Sequence, residues 1–425
     1  MRSTKKVKRF DVIVIGGGAS GLFAAAELVK AGKSALIFEP NRFLGRKLRI
    51  TGKGRCNVTN NCSAEDVMKN VPRNPKFLYS ALSKFPPESV IAWFEDAGVP
   101  LKTERGRRVF PVSDSAHDIA DALVRKCSDA EVIHERVTEI LTDNSKAVGV
   151  CTKIGQYFAD SVVLAAGGKS YPRTGSDGNG YLLADLLGHT IVKQQPSLVP
   201  IETEERYPEL EGLTLKNVIL KLYDNSKPKK PIYSELGEMS FESYGISGPL
   251  TLSASCLMDD EKVACKGYKL VIDFKPALSI EQLDARLLRD IQSSPDGTIE
   301  SLLSGLLPKS VASVFAERLK LDKTASLGQV TREARHDIIN LLKCFELTPT
   351  ALRSFDEAII TRGGVSVKEI DPATMESKLV KNLYFTGEII DCDAFTGGYN
   401  LTIAFSTAYC AARNIIIAKE VEKWD

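Results

Sequence analysis

Asp11-Val12-Ile13-Val14-Ile15-Gly16-Gly17-Gly18-Ala19-Ser20-Gly21 is the stretch on which the reading of this chain turns. The apolar, β-branched run predicts a buried parallel strand over residues 11–15, and the glycines predict a tight turn out of it. A helix follows over residues 19–31, stopped by Gly32, and then a second strand over 34–38 that ends on the acid Glu39. Taken alone, Gly16-x-Gly18-x-x-Gly21 is a weak signal. With a strand before it, a helix after it and Glu39 closing the unit, it reads as a dinucleotide-binding fingerprint. Gly16 permits the turn, Gly18 lets backbone approach a pyrophosphate, and Gly21 lets helix and strand pack closely. Unpaired amides at the helix start, with Ala19 and Ser20 in its first turn, offer partial positive charge to phosphates. Glu39 suits the hydroxyls of an unphosphorylated adenosine ribose.

A second signature lies near the other end: Gly387-Glu388-Ile389-Ile390-Asp391 and Gly397-Gly398-Tyr399-Asn400, after the apolar Leu383-Tyr384-Phe385. Two glycine-rich segments suited to one large anionic ligand point to a single domain assembled from both ends, and to a flavin dinucleotide. A helix beginning near Tyr399 would aim backbone amides at the N1 and O2 atoms of a flavin, where reduction places negative charge. Between the signatures, the loop over residues 44–61 carries Gly45, Arg46, Lys47, Thr51, Gly52, Gly54, Arg55, Cys56 and Asn57. Its glycines permit close backbone approach and its cations suit phosphate or substrate contacts.

At 425 residues the chain predicts two or three domains. Its 43% hydrophobic and 26% charged residues are ordinary for a globular protein, and a net charge of +2 gives no electrostatic case for nucleic acid. No apolar stretch reads as approaching the roughly 20 residues of a membrane span. Arg2, Lys5, Lys6, Lys8 and Arg9 read as a solvated arm and not as a signal peptide. Nine cysteines and four histidines show neither a Cys-x-x-Cys pair nor metal-ligand spacing, so they read as reduced thiols of a cytoplasmic protein with no metal site. Helices are expected over 88–97 and 115–127, and strands over 131–141, 147–158 and 161–166. Short alternating strands from about 197 to 275 fit an antiparallel barrel or sandwich. Residues 279–345 switch to helical periodicity, and strands return at 358–361 and 365–370.

The string Arg46-Lys47…Thr51-Gly52-Lys53-Gly54-Arg55-Cys56-Asn57-Val58-Thr59-Asn60 resembles the HI0933-like bacterial flavoproteins, a group that includes aminoacetone oxidase-like proteins and BaiN-like bile-acid reductases. The segments 164–172, 245–249, 361–365 and 374–378 and the Gly387–Asn400 signature extend the resemblance over nearly the whole chain. It implies an α/β fold: a glutathione-reductase-type FAD-binding Rossmann domain over residues 1–194 and 355–425. It further implies a β-barrel-like insert over 195–278 and 346–354 and a small helical subdomain over 279–345. By the same resemblance, Thr51 and Gly52 lie along the pyrophosphate and flavin, and the backbone of Val137 meets the adenine edge. Asp391 binds the ribityl chain, and Gly398, Tyr399 and Asn400 present the helix start. Pro40, Ala165, Ala166, Gly167, Gly387, Glu388 and Leu401 complete the expected FAD contacts.

The implied activity is that of an FAD-dependent oxidoreductase acting on a small organic substrate. Electrons leave to oxygen, as in amine or aminoketone oxidation, or arrive from NAD(P)H to reduce an activated double bond; with no second fingerprint, the nicotinamide would be a transient visitor. A flavin-carrying RNA-associated or binding protein is the alternative class, although Arg105, Arg107, Arg108 and the run Lys227-Pro228-Lys229-Lys230 lack interleaved aromatics. Disulfide exchange is the weakest option, because five residues separate Cys56 from Cys62 where disulfide reductases have four. The family commonly carries Thr-His where this chain has Glu242-Ser243, so no acid–base group is named. Arg55, Asn57, Arg173 and Tyr399 are the candidates for polarising a substrate carbonyl or the flavin. The four histidines read as structural.

Overall fold

The apolar runs at residues 12–15, 35–38, 161–164 and 383–385 assemble into a parallel sheet because both of their faces are covered. The computed structural model describes residues 9–421, with side chains described to 418; of the basic arm, Arg2, Lys5, Lys6 and Lys8 lie outside those residues. The chain divides into two compact units, Met1–Ser197 with Phe355–Asp425, and Leu198–Ser354.

In the first unit the strands are β1 (Arg9–Ile15), β2 (Ala35–Phe38), β3 (Glu131–Ile133), β4 (Val137–Asp143), β5 (Lys146–Thr152), β6 (Gln156–Leu164) and β7 (Leu383–Phe385). Strands β3, β2, β1, β6 and β7 lie side by side and parallel, while β4, β5 and β6 form an antiparallel meander. Val12, Ile13, Val14, Leu36, Ile37, Val162, Val163 and Leu164 are fully buried. Helix α1 (Ala19–Lys30) packs on helix α2 (Tyr399–Val421), and Ala24, Ala25 and Ala26 of α1 are all buried. Phe23 meets Phe405 with ring centroids 5.3 Å apart. The two chain ends are thus joined through one sheet and one helix pair.

Three expected strands are divided differently. Residues 131–141 form two strands, because β3 pairs with β2 and β4 with β5, so the chain steps sideways at residues 134–136. His134 sits in that step, its ring 3.1 Å from the Glu39 carbonyl. Residues 147–158 turn after Thr152, whose hydroxyl accepts from the Ile154 and Gly155 amides; residues 156–164 are then one strand. Near 358–370 there is a single strand, Ile360–Val365, paired with Ile191–Ser197 across a bulge, with Gly363 at φ +86°. The apolar-length expectation also needs correction. Tyr399–Ala418 is long and apolar enough to cross a membrane, with mean hydropathy 1.4, but 67% of that window is buried inside the protein. His189 is structural, its ring nitrogens against Ala184 O and Ser377 Oγ.

The second unit holds a seven-stranded antiparallel sheet in the order 345–347, 268–273, 214–224, 233–242, 245–247, 201–203, 349–352. Its two end strands are consecutive in the chain, separated only by Thr348, so the sheet path returns on itself. Helices Ile280–Ser293, Ile299–Ser304, Lys309–Arg318 and Arg332–Lys343 share one apolar cluster with these strands, Phe315 stacking on Phe345 at 5.6 Å.

Candidate functional site: a cleft built from both chain ends

The turn from β1 into α1 is shaped by three different demands on glycine. Gly16 has φ +109°, and a Cβ there would stand 2.5 Å from the Ala165 carbonyl oxygen. A Cβ on Gly21 would stand 1.9 Å from the Gly16 carbonyl oxygen. A Cβ on Gly18 would meet no protein atom within 4 Å, so that face of the turn is open space. No side chain caps α1 at Gly18 and no acid sits in its first turn, which leaves its amides available to an anion.

That open space is a cleft of about 1010 Å³, its open mouth included. Of the residues singled out in the sequence, Gly16, Gly18, Ala19, Ser20, Glu39, Arg46, Lys47, Thr51, Ala165, Ala166, Gly167, Gly387, Glu388, Asn400 and Leu401 line it. Glu39 is fixed at its edge: Oε2 accepts from the Gly17 amide at 2.9 Å and Oε1 from the Asn41 amide at 2.9 Å. A smaller pocket of about 390 Å³ shares Gly16, Glu39, Ala166 and Gly175 with the cleft and adds Pro40 and Val137. In it Arg136 pairs with Asp177 at 2.6 Å, and Glu135 Oε2 is buried with no hydrogen-bond partner.

On the opposite wall, Lys47 Nζ donates to Glu388 Oε2 and to Ser170 Oγ, each at 2.7 Å. Asn400 and Leu401, in the first turn of α2, bring a second helix start to the cleft, again with no acid in that turn. The Asn400 carboxamide holds the preceding loop, accepting from Ala394 N at 2.9 Å and donating to Ala394 O at 2.8 Å.

The remaining candidates are off the wall. Gly21 serves helix–strand packing. Gly45 places its amide 2.8 Å from Gly17 O, bracing the turn from outside. Gly52, Gly54 and Cys56 supply positive φ values that fold the basic loop. The Asn57 carboxamide, oriented to satisfy its neighbours, accepts from Gly398 N at 3.0 Å and donates to Thr59 O at 2.9 Å. Asn60 Nδ2 bridges Gly106 O and Gly397 O. Arg55 is engaged by Glu104 and Asp114 and lies over the Phe110 ring at 4.3 Å. Arg173 is exposed in the turn Pro172–Thr174. The Tyr399 ring covers Gly397. Asp391 accepts from Asn74 at 3.0 Å, and burial pushes its carboxyl above the ordinary range; of the acids in the 387–391 segment, Glu388 is the one on the wall.

Sequence reasoning passed over Thr174, Gly175 and Ser176, Ile359 and Ile360, Cys392, Ile403 and Ala404, all on the wall, and Glu135 in the smaller pocket. The run 173–178, dense in Gly, Ser and Thr, carried a turn signal that pointed there. Ile359 and Glu135 carried none.

Cys56 is fully buried, and burial pushes its thiol up to about 12. All nine cysteines are free. Alkylation of the native protein near pH 8 is therefore expected to modify the exposed Cys265 and to spare Cys56, as peptide mass mapping would read. Modification of both at similar rates would contradict this burial.

The cleft suits FAD on its own terms: helix amides for a diphosphate, room beyond Gly18, a carboxylate beside the turn, and an orphaned acceptor in the adjoining pocket. The model of the HI0933-like protein Rossmann domain matches residues 10–414. The chain is 30% identical over 405 residues to a 3-dehydro-bile acid delta(4,6)-reductase of Clostridium scindens, covering 94% of this chain and 97% of that protein. It is 29% identical to a ribosomal RNA dihydrouridine synthase of Haemophilus influenzae, covering 95% and 98%. A solved 3-ketosteroid delta1-dehydrogenase from Sterolibacterium denitrificans aligns with TM-score 0.50 at 13% identity, over 96% of this chain and 100% of that one, a likeness of fold.

Proposed function

Because this chain belongs to the HI0933-like family of FAD-dependent oxidoreductases, we propose that it reduces a carbon–carbon double bond conjugated to a carbonyl in a small organic substrate. The observation that carries this reading is the pair of helix starts at the cleft. Neither has an acid in its first turn, so the amides of both favour a cofactor held in its electron-rich form. When bound, FAD supplies hydride transfer, which the side chains themselves lack. The first turn of α1 with Gly16 and Gly18 would hold the diphosphate, and Glu39 would take the ribose hydroxyls. Glu135 would serve the adenine end, Thr51 and Glu388 the polyol, and Asn400 and Leu401 the pyrimidine end. Reducing equivalents come from NAD(P)H on a transient visit.

Both kinds of named relative support this class of reaction, since a delta(4,6)-reductase and a dihydrouridine synthase each saturate a double bond next to a carbonyl. The dihydrouridine synthases also favour a second reading, in which that bond belongs to uridine in RNA. The exposed cations at Lys227, Lys229 and Lys230 are the surface such a substrate would meet.

One anaerobic experiment separates these. FAD-loaded protein is reduced with NADPH and mixed with a conjugated steroid enone, with its saturated ketone, or with uridine-containing ribosomal RNA. Flavin absorbance should return with the enone and not with the ketone. Return with RNA alone would favour the second reading. Return with oxygen alone, after reduction by aminoacetone, would discard both in favour of an oxidase.

A further inference from the structure

We propose that Lys47, gripped by Glu388 and Ser170, sets the reduction potential of the bound FAD by stabilising the reduced cofactor more than the oxidised one. Lys47 and Glu388 come from opposite ends of the chain and face each other across the cleft wall, their side chains 20% and 14% exposed. The geometry is closed around them. Ser170 Oγ donates to Glu388 Oε1 at 2.7 Å, and the Thr361 amide donates to the same oxygen at 2.8 Å. Thr361 Oγ1 in turn accepts from the Lys169 and Ser170 amides at 2.7 and 3.1 Å. Four segments of the unit thus converge to fix one ammonium.

An ammonium has three donors, and the protein uses two of them here, on Glu388 and Ser170. Among the described residues no acceptor takes the third, and Lys47 lies on the cleft wall. Diphosphate recognition is already provided by the first turn of α1, with Arg46 as a further cation on the wall. With the diphosphate provided for in this way, Lys47 is left for a charge elsewhere on the cofactor. Its pair with Glu388 is well suited to a charge that comes and goes, because its cation needs no new desolvation when that charge forms. Uptake of two electrons and one proton adds one negative charge to FAD, and Lys47 is a cation on the cleft wall already held in place to compensate it.

The inference rests on FAD being the cofactor and not on the choice of substrate. Its test is the ratio of the dissociation constants of oxidised and reduced FAD, read by titrating apoprotein and, independently, by equilibrating the holoprotein with reference dyes. Lys47→Met should weaken reduced FAD about tenfold more than oxidised FAD, which is a fall of about 30 mV for a two-electron couple. Lys47→Arg should restore most of the ratio. Glu388→Gln, which leaves the cation and removes its counter-charge, should move the potential the other way. Equal weakening of both redox forms in Lys47→Met would assign Lys47 to the phosphates and overturn the inference while leaving the FAD reading intact. Should that variant not fold, a lowered or unchanged potential in Glu388→Gln would overturn it as well. Wild-type protein that takes up no FAD would remove the cofactor reading itself.

Discussion

Gly21→Val is expected not to accumulate as folded protein, whereas Gly18→Val should fold and purify without colour. The two positions are three residues apart in one turn and differ only in what surrounds them. At Gly21 an added Cβ falls 1.9 Å from the Gly16 carbonyl oxygen, a backbone atom that cannot move without separating α1 from β1. That contact seats the start of α1 on the end of β1, and opening it exposes Leu22, Phe23 and Ala25, all fully buried. Overpacking a core side chain costs about 1–3 kcal/mol where neighbours can adjust, and here the neighbour is main chain, so the effect should exceed that range. At Gly18 the added atoms enter space the protein leaves empty. Melting temperature should then change little while FAD affinity falls at least about a hundredfold, about 2.7 kcal/mol. Circular dichroism with flavin absorbance on the purified variants checks both halves. A yellow Gly18→Val protein would mean that the dinucleotide runs elsewhere.

The second large effect is expected at Asp393. This carboxylate is fully buried, engaged by the Arg73 guanidinium and by Ser197 Oγ at 2.9 Å. Next to it, Asn74 donates to the Asp391 carbonyl at 2.7 Å and to its carboxylate at 3.0 Å. Residues 73–74, 197 and 391–393 are therefore pinned together by one charge. Asp393→Ala leaves the guanidinium without its buried partner, and such losses cost about 3–5 kcal/mol. A melting transition lowered by about 5–9 °C is expected for a unit of this size, together with weaker FAD retention, since the chain on the other side of Cys392 carries Glu388. Asp393→Asn keeps the shape and loses the charge, so it should fall between wild type and alanine. A transition within a degree or two of wild type in Asp393→Ala would show that the pair contributes nothing net.

Much of the architecture was legible because it is local. The period of Val12–Ile15, the glycine spacing and Glu39 lie within a few turns of one another, and each carries its meaning in a short window. Of the strands that were misdivided, residues 131–141 look continuous by composition, and residues 358–370 look like two strands with a glycine break between them. They are broken or merged by which distant strand pairs with them, and no window of ten residues contains that. The site shows the same division. Residues with a backbone task (Gly16, Gly18, Gly167, Gly387) could be named, because glycine signals its task. The polar wall could be named only in part. Asp391 and Glu388 are equivalent acids to a reader of the chain, and it is Asn74, some three hundred residues upstream, that draws Asp391 away from the cleft. Arg55 offered an unbound cation on paper, yet Glu104 and Asp114 had already claimed it. Ile359, apolar on an otherwise unremarkable strand approach, gave no sign at all.

The pairing of Leu383–Phe385 with Val162–Leu164 also has a consequence for biosynthesis. At ribosomal speeds of about 5–20 residues per second, the second partner follows the first by about 10–45 seconds. Until then the outer side of residues 162–164 is an apolar strand edge with nothing to bond, and the nascent chain offers its cofactor only half a binding wall. Vitamin supply during translation cannot help before that moment. Chaperone dependence in the cell should track the delay between those two segments and not the difficulty of folding either one.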